Sequence, residues 1–192
     1  MPHLILIAGP NGAGKSTAAP GILRGALEVS QFVNADTIAL GLSGFEPERA
    51  AFQAGRVMLA RLHQLAAEHE DFAFETTLSS KSFAPWIKGL KNDGYHFHLV
   101  FLTLPSPELS IERVAERVRM GGHHVPEETI RRRYDKGIRN FFSLYQPLAD
   151  GWRVYDNTDI APRPIASGSG TLVECVTDAV VWNRLKELSN ER

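Results

Sequence analysis

The chain has 192 residues, of which 43% are hydrophobic, and its formal net charge at pH 7 is −1. This apolar content is enough for one substantial core, so we expect a single domain over residues 1–192. The pI near 6.7 provides no general attraction for nucleic acids or anionic membranes, and neither is an expected partner. The single cysteine, Cys175, excludes an intramolecular disulfide and fits a reducing compartment, so we expect a cytoplasmic protein.

Short β-rich segments alternate with longer helical segments along the chain. This pattern is typical of a mainly parallel sheet that is covered by helices on both faces. We predict a five-stranded sheet with strands at Leu4 to Ala8, Gln31 to Asn34, Phe72 to Glu75, Phe97 to Thr103 and Arg153 to Tyr155. The first of these is apolar throughout, as expected for a strand that is buried on both faces.

Several helices are predicted from the periodicity of apolar residues and from capping signals. Glu46 to Glu70 is predicted to be a long amphipathic helix. Its apolar face is expected to comprise Phe52, Val57, Leu59, Leu62 and Leu65. At the other end of the chain, Thr171 to Leu188 is predicted to form a closing helix after a turn at Ser167 to Gly170.

Residues 9–16 read Gly-Pro-Asn-Gly-Ala-Gly-Lys-Ser, which satisfies the Walker A pattern between a predicted strand and a predicted helix. In such a loop the glycines let backbone N–H groups point at phosphates, Lys15 neutralises phosphate oxygens and the Ser16 hydroxyl binds Mg²⁺. The fold class is therefore expected to be an α/β fold of the P-loop NTPase or kinase type, with ATP and Mg²⁺ as cofactors. The predicted nucleotide-binding residues are Gly9, Asn11, Gly12, Ala13, Gly14, Lys15, Ser16 and Thr17.

Two carboxylates follow predicted strands at the sheet edge that carries the Walker A loop. Asp36 is placed to accept the proton of an attacking hydroxyl. The alternative is that Asp36 only caps a helix beginning at Thr37. Glu75 is expected to hold a water bound to Mg²⁺ or a substrate hydroxyl, with Thr77 as a neutral hydrogen-bonding group. The alternative for Glu75 is a solvent-exposed acid at the end of a strand.

Arginines are concentrated in residues 107–145, in two predicted helices joined by a Gly-Gly-His-His-Val-Pro segment. Ser106 and Pro107 predict the start of the first helix, and Pro126 precedes the second. Such a hairpin is suited to be a lid that closes over ATP and stabilises the transferred charge. The alternative is a pair of solvated helices whose arginines pair with nearby glutamates. A zinc site at His123 and His124 is disfavoured, because no third ligand has a suitable spacing.

In chain order these motifs resemble the zeta toxin family of P-loop kinases, particularly its short chromosomal members. The matching segments are the Walker A loop, Asn34-Ala35-Asp36, Phe74-Glu75-Thr76-Thr77, Ile111-Glu112-Arg113 and the Gly-Gly-His-His-Val-Pro segment before Arg131. The resemblance implies ATP-dependent phosphorylation of a UDP-N-acetyl amino sugar, typically UDP-N-acetylglucosamine at its 3′-hydroxyl. It also implies that family members are often held inactive by a small antitoxin that blocks the ATP site.

The resemblance further implies individual roles. Asp36 is expected to be the general base, Lys15 the P-loop lysine, and Arg113 a lid arginine that contacts phosphate. Glu75 and Thr77 are expected to contact the substrate. Ser16 and Glu75 are the predicted metal-binding residues.

A second lid arginine in that family precedes the proline equivalent to Pro126, where this sequence has histidines. Its role is either absent or taken by Arg117, by Arg119 or by an arginine of residues 131–133, and we select Arg119 and Arg131 as substrate-binding residues.

Two other functions stay open beside a small-molecule kinase. One is a kinase acting on nucleic-acid ends, which the balanced charge disfavours. The other is a nucleotide-binding switch or interaction module without productive turnover.

Overall fold

The computed structural model describes residues 1–23, 29–122 and 124–190. The strands in these residues are β1 His3–Ala8, β2 Gln31–Val33, β3 Phe72–Thr76, β4 His96–Thr103, β5 Gly151–Asp156, β6 Arg163–Ser169 and β7 Leu172–Val176. They form a sheet in the order β2-β3-β1-β4-β5-β6-β7. Strands β1 to β5 are parallel, and β6 and β7 extend the sheet in antiparallel fashion at one edge.

Helices connect the strands and cover both faces of the sheet. Their bounds are α1 Lys15–Ile22, α2 Ala35–Leu42, α3 Pro47–Ala67, α4 Phe83–Asn92, α5 Pro107–Arg119, α6 Glu127–Asn140 and α7 Ala179–Asn190. A π-helical turn, Phe141–Tyr145, and a 3₁₀ turn, Gln146–Leu148, continue the chain after α6. Among the described residues, no helix combines the length and the apolar character that crossing a bilayer requires.

The alternation of side chains along β1 divides the core between the two faces of the sheet. Leu4 and Leu6 pack on the face covered by α3, α4, α6 and α7, whereas Ile5 and Ile7 pack on the face covered by α1. All four side chains are fully buried, as expected for a central strand of a parallel sheet. The carboxyl ends of β1, β2 and β3 therefore meet at one edge, where α1 and α2 begin.

The predicted α/β fold with a mainly parallel sheet is confirmed, and the five predicted strands correspond to β1 to β5. The predicted number of strands is wrong, because the interpretation of Ser167 to Gly170 as a turn is wrong. Gly168 lies inside β6, where a Cβ atom would lie 2.6 Å from the ring of Trp152. This glycine permits a close approach of strand and ring. The predicted helix Thr171 to Leu188 begins only at Ala179, because β7 precedes it.

The long helix α3 is confirmed, but its buried face differs from the predicted one. Leu62 and Leu65 are buried as predicted, whereas Phe52 is 81% exposed and Val57 and Leu59 are also exposed. The buried positions are Ala50, Ala54, Met58, Leu62 and Leu65. The two alanines, one helical turn apart, pack against α2. Small side chains that allow this close packing therefore decide which face is buried, rather than the largest apolar residues.

The packing of α7 against the core gives a test of the corrected C-terminal structure. Trp182 is 5% exposed and stacks on Trp152 with ring centroids 5.5 Å apart. We expect Trp182→Ala to lower the free energy of unfolding by about 3–5 kcal/mol, because it removes a buried aromatic ring. Val180 on the same helix is 81% exposed, and Val180→Ala should change it by less than about 0.5 kcal/mol. Equal effects in urea denaturation would contradict the placement of α7.

Candidate active site

The Walker A loop leaves β1 with a backbone that favours glycine at three positions, of which Gly9 and Gly14 have the closest contacts. Gly9 has φ of 145°, and a Cβ atom there would lie 2.1 Å from the carbonyl oxygen of Leu102 on β4. Gly14 has φ of 72°, and a Cβ atom there would lie 2.6 Å from Nδ2 of Asn157. The loop is thus held close to β4 and to the segment after β5, with α1 starting directly behind it.

The Lys15 side chain is buried against the loop that precedes it. Its Nζ donates hydrogen bonds to the carbonyl oxygens of Gly9 and Pro10, at 2.9 Å each, and lies 3.8 Å from Oε1 of Glu75. Burial lowers the pKa of Lys15, while the negative charges of Glu75 and Asp36 oppose this effect. The ammonium group therefore lies between the Walker A loop and Glu75, and it also interacts electrostatically with Asp36.

Asn34 and Glu75 form the polar centre of the site at the ends of β2 and β3. Ser16 Oγ donates to Glu75 Oε2 at 2.7 Å, and Asn34 Nδ2 donates to the same oxygen at 2.7 Å. Oδ1 of Asn34 accepts hydrogen bonds from the backbone N–H groups of Asp36 and Thr37 at 2.7 and 3.1 Å. Asn34 is therefore the N-cap of α2, and the alternative that Asp36 caps a helix beginning at Thr37 is wrong.

A cavity of about 290 Å³ opens beside this polar centre, between the Walker A region, α2, α3 and the end of α5. The side chains of Asp36 and Arg117 both line it, with Arg117 NH1 3.9 Å from Asp36 Oδ2. The opposite wall is apolar and is built from Ala39, Leu40, Pro47 and Ala51. The cavity thus presents one carboxylate and one guanidinium group to whatever enters it, beside the predicted phosphate site.

Arg133, which the sequence did not single out among its neighbours, lies near enough to this site for its charge to interact with Lys15 and Asp36. Burial and the adjacent Arg132 lower its pKa, while the Asp36 carboxylate opposes the shift. The charges of Arg133 and Arg117 also lower the pKa of Lys15. Both guanidinium groups therefore act electrostatically on the predicted phosphate site.

The position of Arg133 follows from the packing of α6. Gly137, one turn further along, approaches the carbonyl oxygen of Thr77 so closely that a Cβ atom would lie 2.6 Å from it. Asn140 Nδ2 donates to the carbonyl oxygen of Leu78 at 2.6 Å. Residues 133, 137 and 140 share one helix face, so the spacing from a glycine in mid-helix was the signal for Arg133.

Arg113, the predicted phosphate-contacting arginine, lies against the Walker A loop. Arg113 donates to the carbonyl oxygens of Asn157, at 2.8 Å, and Thr158, at 2.6 Å, and to that of Gly12 at 3.4 Å. It joins the Walker A loop to the segment after β5.

Arg119 and Arg131 are not brought to the cavity. Arg119 is exposed at the end of α5, and Arg131 pairs with Glu108 on α5 at 2.5 Å. Arg131 therefore joins the two arginine-bearing helices on their outer surface.

Thr77 and His124, two further residues of the matching segments, have the following contacts. Thr77 Oγ1 and Ser79 Oγ are 2.9 Å apart in the segment after β3. The backbone N–H of His124 donates to Glu48 Oε1 on α3 at 3.3 Å, which brings the α5–α6 loop to the cavity wall. His123 lies outside the described residues.

The residues at the polar centre fit Mg²⁺. No group of three or more His, Cys, Asp or Glu side chains in the described parts of the chain could hold a metal ion. Mg²⁺ needs only one or two protein oxygens, since water and phosphate oxygens complete its shell. Ser16 donates its proton to Glu75 and accepts a hydrogen bond from Asn34, which leaves one lone pair of its hydroxyl oxygen for such an ion.

Several solved structures share this fold. The complex of AvrRxo1-ORF1 and AvrRxo1-ORF2 aligns with a TM-score of 0.75 at 16% identity, covering 100% of this chain and 65% of that chain. The same complex has been solved with ATP. The PezAT chromosomal toxin–antitoxin system of Streptococcus pneumoniae aligns at 0.62 and 18% identity, covering 100% and 88%. A gluconokinase from Sinorhizobium meliloti aligns at 0.51 and 15% identity, covering 82% and 83%. At these identities the likeness shows the fold.

Comparison of sequences identifies the family. An uncharacterised protein of Haemophilus influenzae is 31% identical over 130 residues, which are 68% of this chain and 91% of that protein. A family model described as AAA domain matches residues 4–136, from β1 into α6. Since the match covers more than half of the chain, this protein belongs to the AAA domain family, with a kinase-like P-loop fold.

Proposed function

We propose that this protein is an ATP-dependent kinase that transfers the γ-phosphate to a hydroxyl group of a small acceptor. The observation that carries the proposal is the cavity that places Asp36 and Arg117 beside Ser16 of the Walker A loop. A nucleotide-binding switch needs only the phosphate loop. A kinase also needs a cavity with a carboxylate beside that loop, because it must hold and deprotonate an acceptor.

The phosphate side of the reaction is formed by the Walker A loop and α1. Backbone N–H groups at the start of α1 and the ammonium group of Lys15 are placed to bind the β- and γ-phosphates of ATP. Lys15 already lies in this loop, held by two carbonyl oxygens. Ser16 and Glu75 would hold Mg²⁺, which when bound neutralises charge on the phosphate oxygens.

Asp36 is the proposed general base. The acceptor hydroxyl oxygen forms the new bond to the γ-phosphorus, its proton passes to the Asp36 carboxylate, and the bond from that phosphorus to the ADP oxygen breaks. Arg117 and Arg133, rather than Arg119 and Arg131, are proposed to stabilise the transferred charge, because their charges act at the predicted phosphate site. The α5–α6 region, residues 107–145, would form the lid.

The resemblance to zeta toxins makes UDP-N-acetylglucosamine the first acceptor to consider. The cavity volume, near 290 Å³, lies at the small end of the usual range of ligand sites of about 300–1,000 Å³. It suits the amino sugar at the reacting end, with the N-acetyl methyl group against Leu40 and Ala51. Thr77, in the segment directly after β3, is the proposed hydroxyl contact for the remainder of the acceptor.

A protein partner is also part of the proposal. The resemblance implies an antitoxin that blocks the ATP site, and two structures of similar fold are a two-component complex and a toxin–antitoxin system. We further propose that residues 1–192 act as one kinase domain. Nucleic acid is not a proposed partner, because a net charge of −1 provides no general attraction for it.

The acceptor can be tested directly. Purified protein incubated with Mg-ATP and UDP-N-acetylglucosamine should yield a product heavier by one phosphate in mass spectrometry. Lys15→Ala should abolish the product, because the variant loses the cation that neutralises the phosphates. If ATP binds but no such product forms, this acceptor is excluded, and a screen of metabolite extracts with labelled ATP would then test for any other.

Asp36→Asn tests the general base. The amide cannot accept a proton, so we expect kcat to fall by about 10²–10⁴-fold while the Kd for ATP is unchanged. Asp93→Asn, an exposed substitution beyond the end of α4, is the matched control and should retain activity. Unchanged phosphorylation by Asp36→Asn would reject this role.

The arginines give a test in which structure and sequence predict different outcomes. Arg117→Ala and Arg133→Ala should each lower kcat by about 100-fold or more. Arg119→Ala and Arg131→Ala remove the same charge at exposed positions and should change kcat by less than about threefold. If steady-state kinetics show a large loss of kcat in Arg119→Ala and Arg131→Ala but not in the other two variants, the sequence-based selection of Arg119 and Arg131 is correct.

A further inference from the structure

The side chain of Asn34 connects the two halves of the site. It is only 6% exposed, and it lies between the Walker A loop, the end of β3 and the start of α2. Its amide oxygen accepts from Asp36 and Thr37, and its amide nitrogen donates to Glu75 and, at 3.2 Å, to Ser16. An amide has two acceptor lone pairs and two N–H donors. All four are used here.

Helix capping alone does not explain an asparagine at this position. Asp, Ser and Asn cap helices about equally well. Only Asn also offers N–H donors, and these meet a carboxylate oxygen of Glu75 at 2.7 Å. An aspartate would instead place a second carboxylate against Glu75, and a serine would leave that oxygen without this donor.

We propose that Asn34 is a positioning residue that fixes the general base relative to the phosphate site. The inference rests on the proposed function of Asp36. The Asp36 residue lies in the first turn of α2, and the only side chain that binds both this turn and Glu75 among the described residues is Asn34. Displacement of a reacting group by about 1 Å costs on the order of 100-fold in rate. The hydrogen bonds of Asn34 to Glu75 and Ser16 therefore control kcat through the placement of Asp36.

Asn34→Ser separates this role from helix capping, because serine keeps the cap and loses the N–H donors. We expect kcat to fall by about 10–100-fold, with the KM values for ATP and acceptor unchanged. The backbone amides of Asp36 and Thr37 should keep their protection in hydrogen exchange. Asn34→Ala should lose both the rate and this protection. Asp178→Ala, which removes the cap of α7, controls for the loss of a cap far from the site and should keep kcat.

A second measurement does not depend on turnover. Glu75→Ala should reduce the exchange protection of the Asp36 and Thr37 amides, although Glu75 does not bind them, because Asn34 loses its anchor. Wild-type kcat in Asn34→Ser, a loss that lies wholly in the KM for ATP, or unchanged amide protection in Glu75→Ala would overturn the inference. Absence of transfer by the wild-type protein would instead reject the proposed function, and the exchange measurement would still decide the role of Asn34.

Discussion

The carboxylate of Glu75 at the end of β3 is the group on which the geometry of the site depends. One of its oxygens accepts hydrogen bonds from Ser16 and Asn34, and the other lies 3.8 Å from the Lys15 ammonium group. A charge this poorly exposed is tolerated only with such partners. The parallel register sets Ile7 of β1 beside Glu75, so the Walker A loop leaves β1 at the same level. The sheet register therefore brings the phosphate loop and the acidic residue together.

Much of this arrangement could be predicted from the sequence, because it depends on short-range rules. The Walker A loop follows from glycines whose backbone few other residues adopt, and Ser106 caps α5 as its side chain predicts. Asp36 and Glu75 follow strands that end at the same edge of a parallel sheet. Each of these residues lies at or just after the end of a strand or the start of a helix. Its position along the chain therefore determines its position at the sheet edge.

The remaining features depend on contacts that are distant in sequence. Gly168 was interpreted as a turn residue, although it lies in β6, where the Leu172 carbonyl oxygen and the Trp152 ring leave no space for a Cβ atom. Phe52 was assigned to the core because of its size, although two alanines of α3 determine the packing against α2. Arg131 and Arg133 are two residues apart on α6, and the packing of Gly137 against Thr77 decides which of them faces the site. Composition and periodicity do not identify these contact partners, although the spacing from Gly137 places Arg133 on the packed face of α6.

The contacts of Arg113 and Arg117 divide the predicted lid into a fixed part and a part that can change partners. Arg113 donates to three backbone carbonyl groups, that of Gly12 in the Walker A loop and those of Asn157 and Thr158 after β5, and its release would leave these bonds unmade. Arg117 and Asp36 lie 3.9 Å apart and are 39% and 59% exposed. Exposed pairs of this kind contribute little stability and separate readily. In the proposed reaction, an acceptor that enters the cavity would therefore separate Asp36 from Arg117 at little cost in free energy, while Arg113 keeps the Walker A loop joined to the segment after β5.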